Sequence, residues 1–156
     1  MRKPAPAPAT AVEPWSRYVD AVMSDLAAPG SNPAGLLDAR DSFLQHVRDE
    51  VDSGLGALAH NAWLSDDECA LLALALGCEL DAEHQRVLCF AQGDPSRSRL
   101  TLQTAAHVLG GLHRCAAAIG PRARLRRAAL LTVDDEGPWA QQQIVPRDSL
   151  VWAAAG

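Results

Sequence analysis

The stretch SDDECALLALALGCELD, Ser65 to Asp81, constrains this chain more than any other. Ser65-Asp66-Asp67-Glu68 is a capping box: the serine oxygen accepts from the amide three residues on, while the glutamate reaches back to the serine amide. A helix is therefore predicted from Asp66. Behind the cap, Cys69 to Leu76 is the longest uninterrupted apolar run in the chain. A helix that is apolar around its whole circumference has no face to offer to water. It has to sit in the middle of the fold, with other elements wrapped around it. The run is far shorter than the ~20 apolar residues that cross a bilayer, so no membrane association is expected. Gly77 is expected to stop the helix through its freedom at positive φ.

Helices are predicted on both sides of this one. Pro14 to Ala28 carries Trp15, Tyr18, Val19, Val22, Met23 and Leu26 at three- and four-residue spacing, the stripe of an amphipathic helix, and stops at Pro29-Gly30. Pro33 opens a second helix at its first turn, in which Leu36, Leu37, Phe43, Leu44, Val47 and Val51 keep the period to about Asp52. Gly54 and Gly56 are expected to break it before Leu58 to Trp63. Downstream, Asp81 is predicted to cap Ala82 to Gln92, with Val87, Leu88 and Ala91 inward and Gly93-Asp94-Pro95 as the stop. Thr101 caps a further helix, Leu102 to about Leu109, whose inward residues are Leu102, Ala105, Ala106 and Leu109. Ala128–Val133 and Trp139–Val145 read as the strands of a hairpin around the turn-rich segment Asp134-Asp135-Glu136-Gly137-Pro138. Pro146–Ala155 reads as a short closing helix capped by Asp148.

Three short helices followed by a hairpin is the order of a winged helix. The predicted fold is mainly α: a winged-helix-like helix-turn-helix core with a small β-hairpin over residues 64–156, preceded by an N-terminal helical hairpin over 14–63 and a Pro/Ala-rich tail over 1–13. The 156 residues suit one ordinary domain with an extra helical arm, and a 48% hydrophobic content excludes a disordered chain. The opening MRKPAPAPAT has two cations and alternating Pro and Ala, without the apolar core of a secretory signal. Cys69, Cys78, Cys89 and Cys115 show neither CxxC pairs nor the density of a disulfide scaffold. The chain is accordingly expected in the cytoplasm with reduced thiols.

Four segments, LSDDECALLALALGCELD, LCFAQGDPSRSRLT, PRARLRRAALLTVDD and IVPRDSLVWAAAG, together resemble the winged-helix-like domain that stands N-terminal to the ATPase module in a family of bacterial AAA ATPases, some of them encoded in contractile injection system loci. That family's pattern runs as a capped apolar helix ending in E-L-D, a Q-x-D-P/T-R connection, a P-L-R-R-x-x-L-L stretch before a strand, and a terminal helix. The resemblance covers about Leu64 to Gly156. The chain ends where that ATPase would begin, and with Lys3 as its single lysine and no GxxxxGK[ST] it cannot build the phosphate-cradling loop. What the resemblance implies is an isolated N-terminal domain of a longer ATPase, or a stand-alone relative, with a recognition or adaptor role. No catalysis, cofactor or metal is expected.

The charge pattern sharpens the partner question. Residues 13–94 hold fifteen acids and four arginines, whereas residues 96–127 hold seven arginines and no acid, in a chain of net charge -5. Arg97, Arg99, Arg122, Arg124, Arg126 and Arg127 are the candidate partner-binding residues. They could meet an acidic protein surface or a phosphate backbone, or pair with the acidic half of the same molecule. A winged helix that reads sequence needs base-reaching side chains on its third helix, and Leu100 to Leu112 offers Thr101, Gln103, Thr104 and His107 but no cation. The acids Asp134, Asp135 and Glu136 at the expected wing tip would repel phosphate. A protein partner is therefore favoured, with non-specific nucleic-acid binding through Arg122, Arg124, Arg126 and Arg127 as the alternative. His84/Cys89, His107/His113 and His113/Cys115 lack metal-ligand spacing, and no Ser/His/Asp or Cys/His arrangement is marked by a motif. Trp139 and Trp152 are expected in the core and become partner hot spots if exposed.

Overall fold

The expected central helix is the hub of the structure, a computed structural model that describes residues 14–52 and 54–156. The Pro/Ala-rich tail expected over residues 1–13 lies outside the described residues. The central helix, α4 (Asp66–Leu80), opens on the capping box: the Glu68 amide donates to Ser65 Oγ at 3.2 Å and the Ser65 amide donates to Glu68 Oε2 at 2.8 Å. Every residue from Glu68 to Cys78 is buried, as an all-round apolar helix requires. Around it stand α1 (Pro14–Ala27), α2 (Pro33–Asp49), α5 (Ala82–Gln92), α7 (Leu112–Ile119), α8 (Arg124–Arg127), α9 (Asp148–Ala155) and the strand β2 (Gln143–Pro146). The chain is thus mainly helical, with one small antiparallel sheet in which β1 (Leu131–Asp134) pairs with β2, Leu131 opposite Pro146 and Asp134 opposite Gln143.

The N-terminal hairpin forms as its apolar stripes dictate. Tyr18, Val19, Val22 and Met23 of α1 and Ala39, Phe43, Leu44 and Val47 of α2 are buried, and the Tyr18 and Phe43 rings stack with centroids 5.2 Å apart. Burial pushes the Tyr18 hydroxyl up to about 12. This hairpin shares one buried cluster with Leu71, Leu72, Leu88, Leu100, Leu125, Leu131 and Ile144. His84 reinforces the joint: Nδ1 lies 3.2 Å from the Gly77 carbonyl and Nε2 lies 2.9 Å from Asp20 Oδ1, so one imidazole links α5 to both α4 and α1.

Several boundaries depart from the sequence reading, each for a packing reason. Gly77 does not end α4, has no positive φ, and lies inside a helix that continues to Leu80. A Cβ at Gly77 would stand 2.7 Å from Val19 Cγ1, so this glycine lets α1 cross close to α4. Helix α2 stops at Asp49 rather than near Asp52, and Gly54 and Gly56 begin α3 (Gly54–Asn61) instead of merely interrupting a helix. A Cβ at Gly56 would stand 2.0 Å from the Glu50 carbonyl oxygen, which is the tight corner between the two helices. On α5 only Leu88 is buried, with Val87 half-buried and Ala91 exposed.

The C-terminal half holds more than was read from it. After α6 (Leu102–Leu109), which buries the four residues expected of it, the chain turns at Gly110-Gly111 into α7, whose buried Cys115, Ala118 and Ile119 make a short stripe. The helix before the hairpin is therefore α7 followed by the single turn α8, and not the Leu102–Leu109 helix. The first strand starts at Leu131, because Arg124–Arg127 has already closed into helix. Trp139–Gln141 is a 3-10 turn, leaving only Gln143–Pro146 as the second strand. Asp148 is the first residue of α9 and makes no capping hydrogen bond; Arg147 precedes it. One further bridge joins Thr101 to Gln143, with the Leu102 amide donating to the Gln142 carbonyl at 2.9 Å and the Ile144 amide to the Leu100 carbonyl at 2.8 Å. The hairpin is thereby tied to the start of α6.

Gly77→Ala measures how tightly the hairpin grips α4. In an exposed helix the change would stabilise by about 1 kcal/mol, whereas forcing a methyl group into a packed contact costs about 1–3 kcal/mol. Urea unfolding of the variant is expected to show a net loss of roughly 1–2 kcal/mol from these opposing terms. An unchanged or raised midpoint would mean that α1 can move off α4 freely.

Candidate partner-binding surface

The acidic first turn of α4 collects arginines. Asp66 Oδ2 accepts from Arg48 Nη2 of α2 at 2.9 Å. Asp67 accepts from Arg40 Nη2 of α2 at 3.2 Å and, as a two-pronged fork, from Arg114 Nε and Nη2 of α7 at 2.9 and 2.6 Å. That fork raises the Arg114 guanidinium further above its already high value. Glu68, 4% exposed, accepts from the Arg124 amide at 3.0 Å through the oxygen that the capping box leaves free, and Arg124 Nη1 lies 3.9 Å from its other oxygen. One carboxylate therefore serves the amino ends of two helices, α4 and α8.

The six sequence candidates separate under this geometry. Arg124 is held to Glu68 through its amide, with its guanidinium 3.9 Å away and its side chain still exposed, and Arg99 is paired with Glu79, whose hydrogen bonds raise its guanidinium in turn. Arg126 Nη1 donates to the Ile119 carbonyl at 3.3 Å, closing the end of α7. Arg97 is half-buried, its Nε lies 3.6 Å from Asp94 Oδ2, and that buried nitrogen makes no hydrogen bond. Arg122 and Arg127 are exposed and have no carboxylate partner among the described residues. Arg40, Arg48 and Arg114 were missed as a group, because only the fold brings three distant positions to one helix end.

The Gln92-Gly93-Asp94-Pro95-Ser96-Arg97 connection is held from within. Gln92 Nε2 donates to the Arg97 and Arg99 carbonyls, and Gln92 Oε1 accepts from the Thr101 amide. Asp94 Oδ1 accepts from the Ser96 hydroxyl and amide, which lowers its carboxyl below the usual carboxylate range. Arg97 is left lining a polar cleft of about 440 Å³ with Gln103, His107 and Gln141. A second cleft, about 420 Å³ and mainly apolar, lies between Trp15, Leu58, Leu76 and Leu150.

Large apolar side chains face outward. Trp63 is 78% exposed, Phe90 77% and Trp152 73%, and Trp139 is also exposed. The expectation that Trp139 and Trp152 lie in the core is thus overturned: Trp139 rides on the 3-10 turn between the strands, and α9 turns Leu150 and Val151 to the core instead. Among the described residues no group of three or more His, Cys, Asp or Glu side chains is placed to hold a metal ion. Likewise, no described helix is long and apolar enough to cross a membrane. Burial pushes the Cys69 and Cys78 thiols up to about 12 and raises Cys115 as well. Comparison with protein-family models, with curated proteins and with solved structures gives no match.

Two measurements probe this surface. Glu68→Ala removes a cap and strands the Arg124 amide, so a loss of about 2–3 kcal/mol is expected in urea unfolding. Asp66→Ala breaks an exposed pair and should lose under about 1 kcal/mol; equal losses would deny Glu68 its central role. Separately, iodoacetamide at mildly alkaline pH should label the half-buried Cys89 in the native protein, with Cys69, Cys78 and Cys115 reacting only after unfolding, as read by mass spectrometry of tryptic peptides.

Proposed function

We propose that this chain is a non-catalytic protein-interaction module, the recognition or regulatory part of an AAA-type ATPase system, working in the cytoplasm and built on a winged-helix-like core. The observation that carries the reading is the internal use of the arginines. Arg99, Arg114 and Arg124 face carboxylates of the same chain, while four large aromatic side chains face outward. Exposed Trp and Phe beside Arg is the composition of protein-contact hot spots. The winged-helix-like part of the reading draws on the succession α5, α6, α7, α8, β1, β2 and on the Thr101–Gln143 bridge, which adds a third short strand contact beside the hairpin.

Nucleic-acid binding is the second reading, and Arg122 and Arg127 favour it, since each lacks a carboxylate partner among the described residues. Against it, α7 offers His113 and Arg114 to solvent, and Arg114 is already held by Asp67. The connection between the strands also begins with Asp135 and Glu136, directly after Asp134 at the end of β1, a poor tip to lay along phosphates.

Fluorescence anisotropy with labelled random-sequence duplex and single-stranded DNA, at low and moderate salt, separates the two. The protein-interaction reading expects no binding at micromolar protein in low salt. Tight binding that weakens steeply with salt and is lost in an Arg122→Ala/Arg127→Ala variant would overturn it.

A further inference from the structure

The connection between α5 and α6 fixes the backbone of Arg97 and leaves its side chain unpaired by any hydrogen-bonded acceptor. Gln92 Nε2 donates to the Arg97 carbonyl at 2.8 Å and to the Arg99 carbonyl at 3.0 Å, while the Arg97 amide donates to the Asp94 carbonyl at 3.1 Å. Among the arginines that face a carboxylate in the described residues, Arg97 has the least exposed side chain, at 24%. Yet Asp94 Oδ2 stands 3.6 Å from its Nε, and that buried nitrogen makes no hydrogen bond. At this distance the two charges attract without hydrogen bonding. Arg40, Arg48, Arg99 and Arg114 are all more exposed, and each of them hydrogen-bonds a carboxylate. A guanidinium taken this far out of water without a hydrogen-bonded acceptor is costly and calls for an explanation.

The polar cleft of about 440 Å³ that Arg97 lines supplies one, with a volume in the range of ligand sites. Its walls come from distant parts of the chain: Leu26 and Pro29 at the end of α1, Gln103 and His107 on α6, and Gln141 on the 3-10 turn. The side chains of Gln103, His107 and Gln141 are exposed and make no hydrogen bond to another described residue, so their polar atoms are open to a ligand. Apart from His107, the charged residues of the lining are Arg97 and Asp94. Asp94 Oδ1 accepts from the Ser96 hydroxyl and amide, which keeps this carboxylate on its own turn.

We infer that the cleft binds one carboxylate flanked by amide groups, the chemistry of a peptide's C-terminal end, with Arg97 on the carboxylate and Gln103 and Gln141 on the preceding peptide groups. A planar guanidinium matches a carboxylate through two parallel hydrogen bonds. Asp94 restricts the occupant to a single negative charge, because a second carboxylate or a phosphate dianion would meet its like charge. Neutral amides beside the apolar Leu26 and Pro29 suit the uncharged groups that precede a chain end. The inference rests on the protein-interaction reading and adds which part of a partner is recognised.

The test uses the ¹⁵N-labelled full chain and two pools of N-acetyl tripeptides of mixed sequence, one ending in free carboxylates and the other in carboxamides. Proton–nitrogen spectra follow the Arg97 Nε–H and the side-chain amides of Gln103 and Gln141. At millimolar peptide the carboxylate pool is expected to shift these signals, and the carboxamide pool to leave them in place. N-acetylalanine, a free acid with a single amide, is expected to need about tenfold more ligand for the same shift. Arg97→Gln is expected to weaken binding at least about tenfold through loss of a charge-assisted pair. Gln103→Ala, on the exposed side of α6, is expected to weaken it about fivefold and keeps the test open should Arg97→Gln fail to fold. Equal shifts with both pools, no shift with either, or undiminished binding by either variant would overturn the inference. Equal affinity for N-acetylalanine and the carboxylate pool would overturn the chain-end assignment and make this a site for small free acids. None of these results touches the general protein-interaction reading, which the DNA measurement decides separately.

Discussion

The acidic first turn of α4 is the constraint on which the rest of this structure depends. An apolar helix in the middle of a fold has to begin somewhere, and its unsatisfied amides need acceptors that can be buried. Glu68 supplies one of these acceptors, and its second oxygen is turned to the amide that starts α8. Asp66 and Asp67 extend the arrangement to side chains, drawing Arg40 and Arg48 from α2 and Arg114 from α7. Elements separated by up to some fifty positions in the chain are thus referred to one helix end. The apolar part of α4 then excludes water from the contacts behind it.

This use of charge also bears on the proposed function. A chain with an arginine-rich stretch and an acidic stretch could hold the two apart, presenting a field to a partner, or fold them together. Here they are folded together for Arg99, Arg114 and Arg124, while Arg122, Arg126 and Arg127 have no carboxylate partner among the described residues. Long-range steering weakens accordingly, and the aromatic side chains at the surface become the stronger source of contact energy. Trp63 is the sharpest case, since it combines exposure with a conformation that an unconstrained sequence would give to glycine.

Much of the fold was legible because local signals were strong. The capping box at Ser65, the Asp81 and Thr101 caps and the stripe of α6 stand where the residues put them. Mistakes fell where a glycine had two uses. Gly77 reads as a helix stop in isolation, yet its lack of a side chain serves the crossing of α1 at Val19. Gly54 and Gly56 read as breakers and instead start a helix whose close approach to the end of α2 excludes a Cβ. Helix α7 was overlooked because LHRCAAAI is short and follows two glycines, a context in which propensity says little. Of the candidate site, Arg122 and Arg127 are exposed without a carboxylate partner among the described residues. Arg97, Arg99, Arg124 and Arg126 were drawn into local or long-range contacts that charge counting cannot resolve.

By itself the sequence determined that the protein is mainly helical, that its middle helix is buried on all sides, and that a small hairpin follows the helices. These outcomes rest on period, capping and turn chemistry, which act over a few residues. Which arginines are neutralised and which tryptophans face outward were decided only by the tertiary structure. An ion pair such as Arg114–Asp67 forms between positions far apart in the chain, and a side chain's exposure depends on what the other elements leave uncovered. Neither quantity exists until the helices have packed.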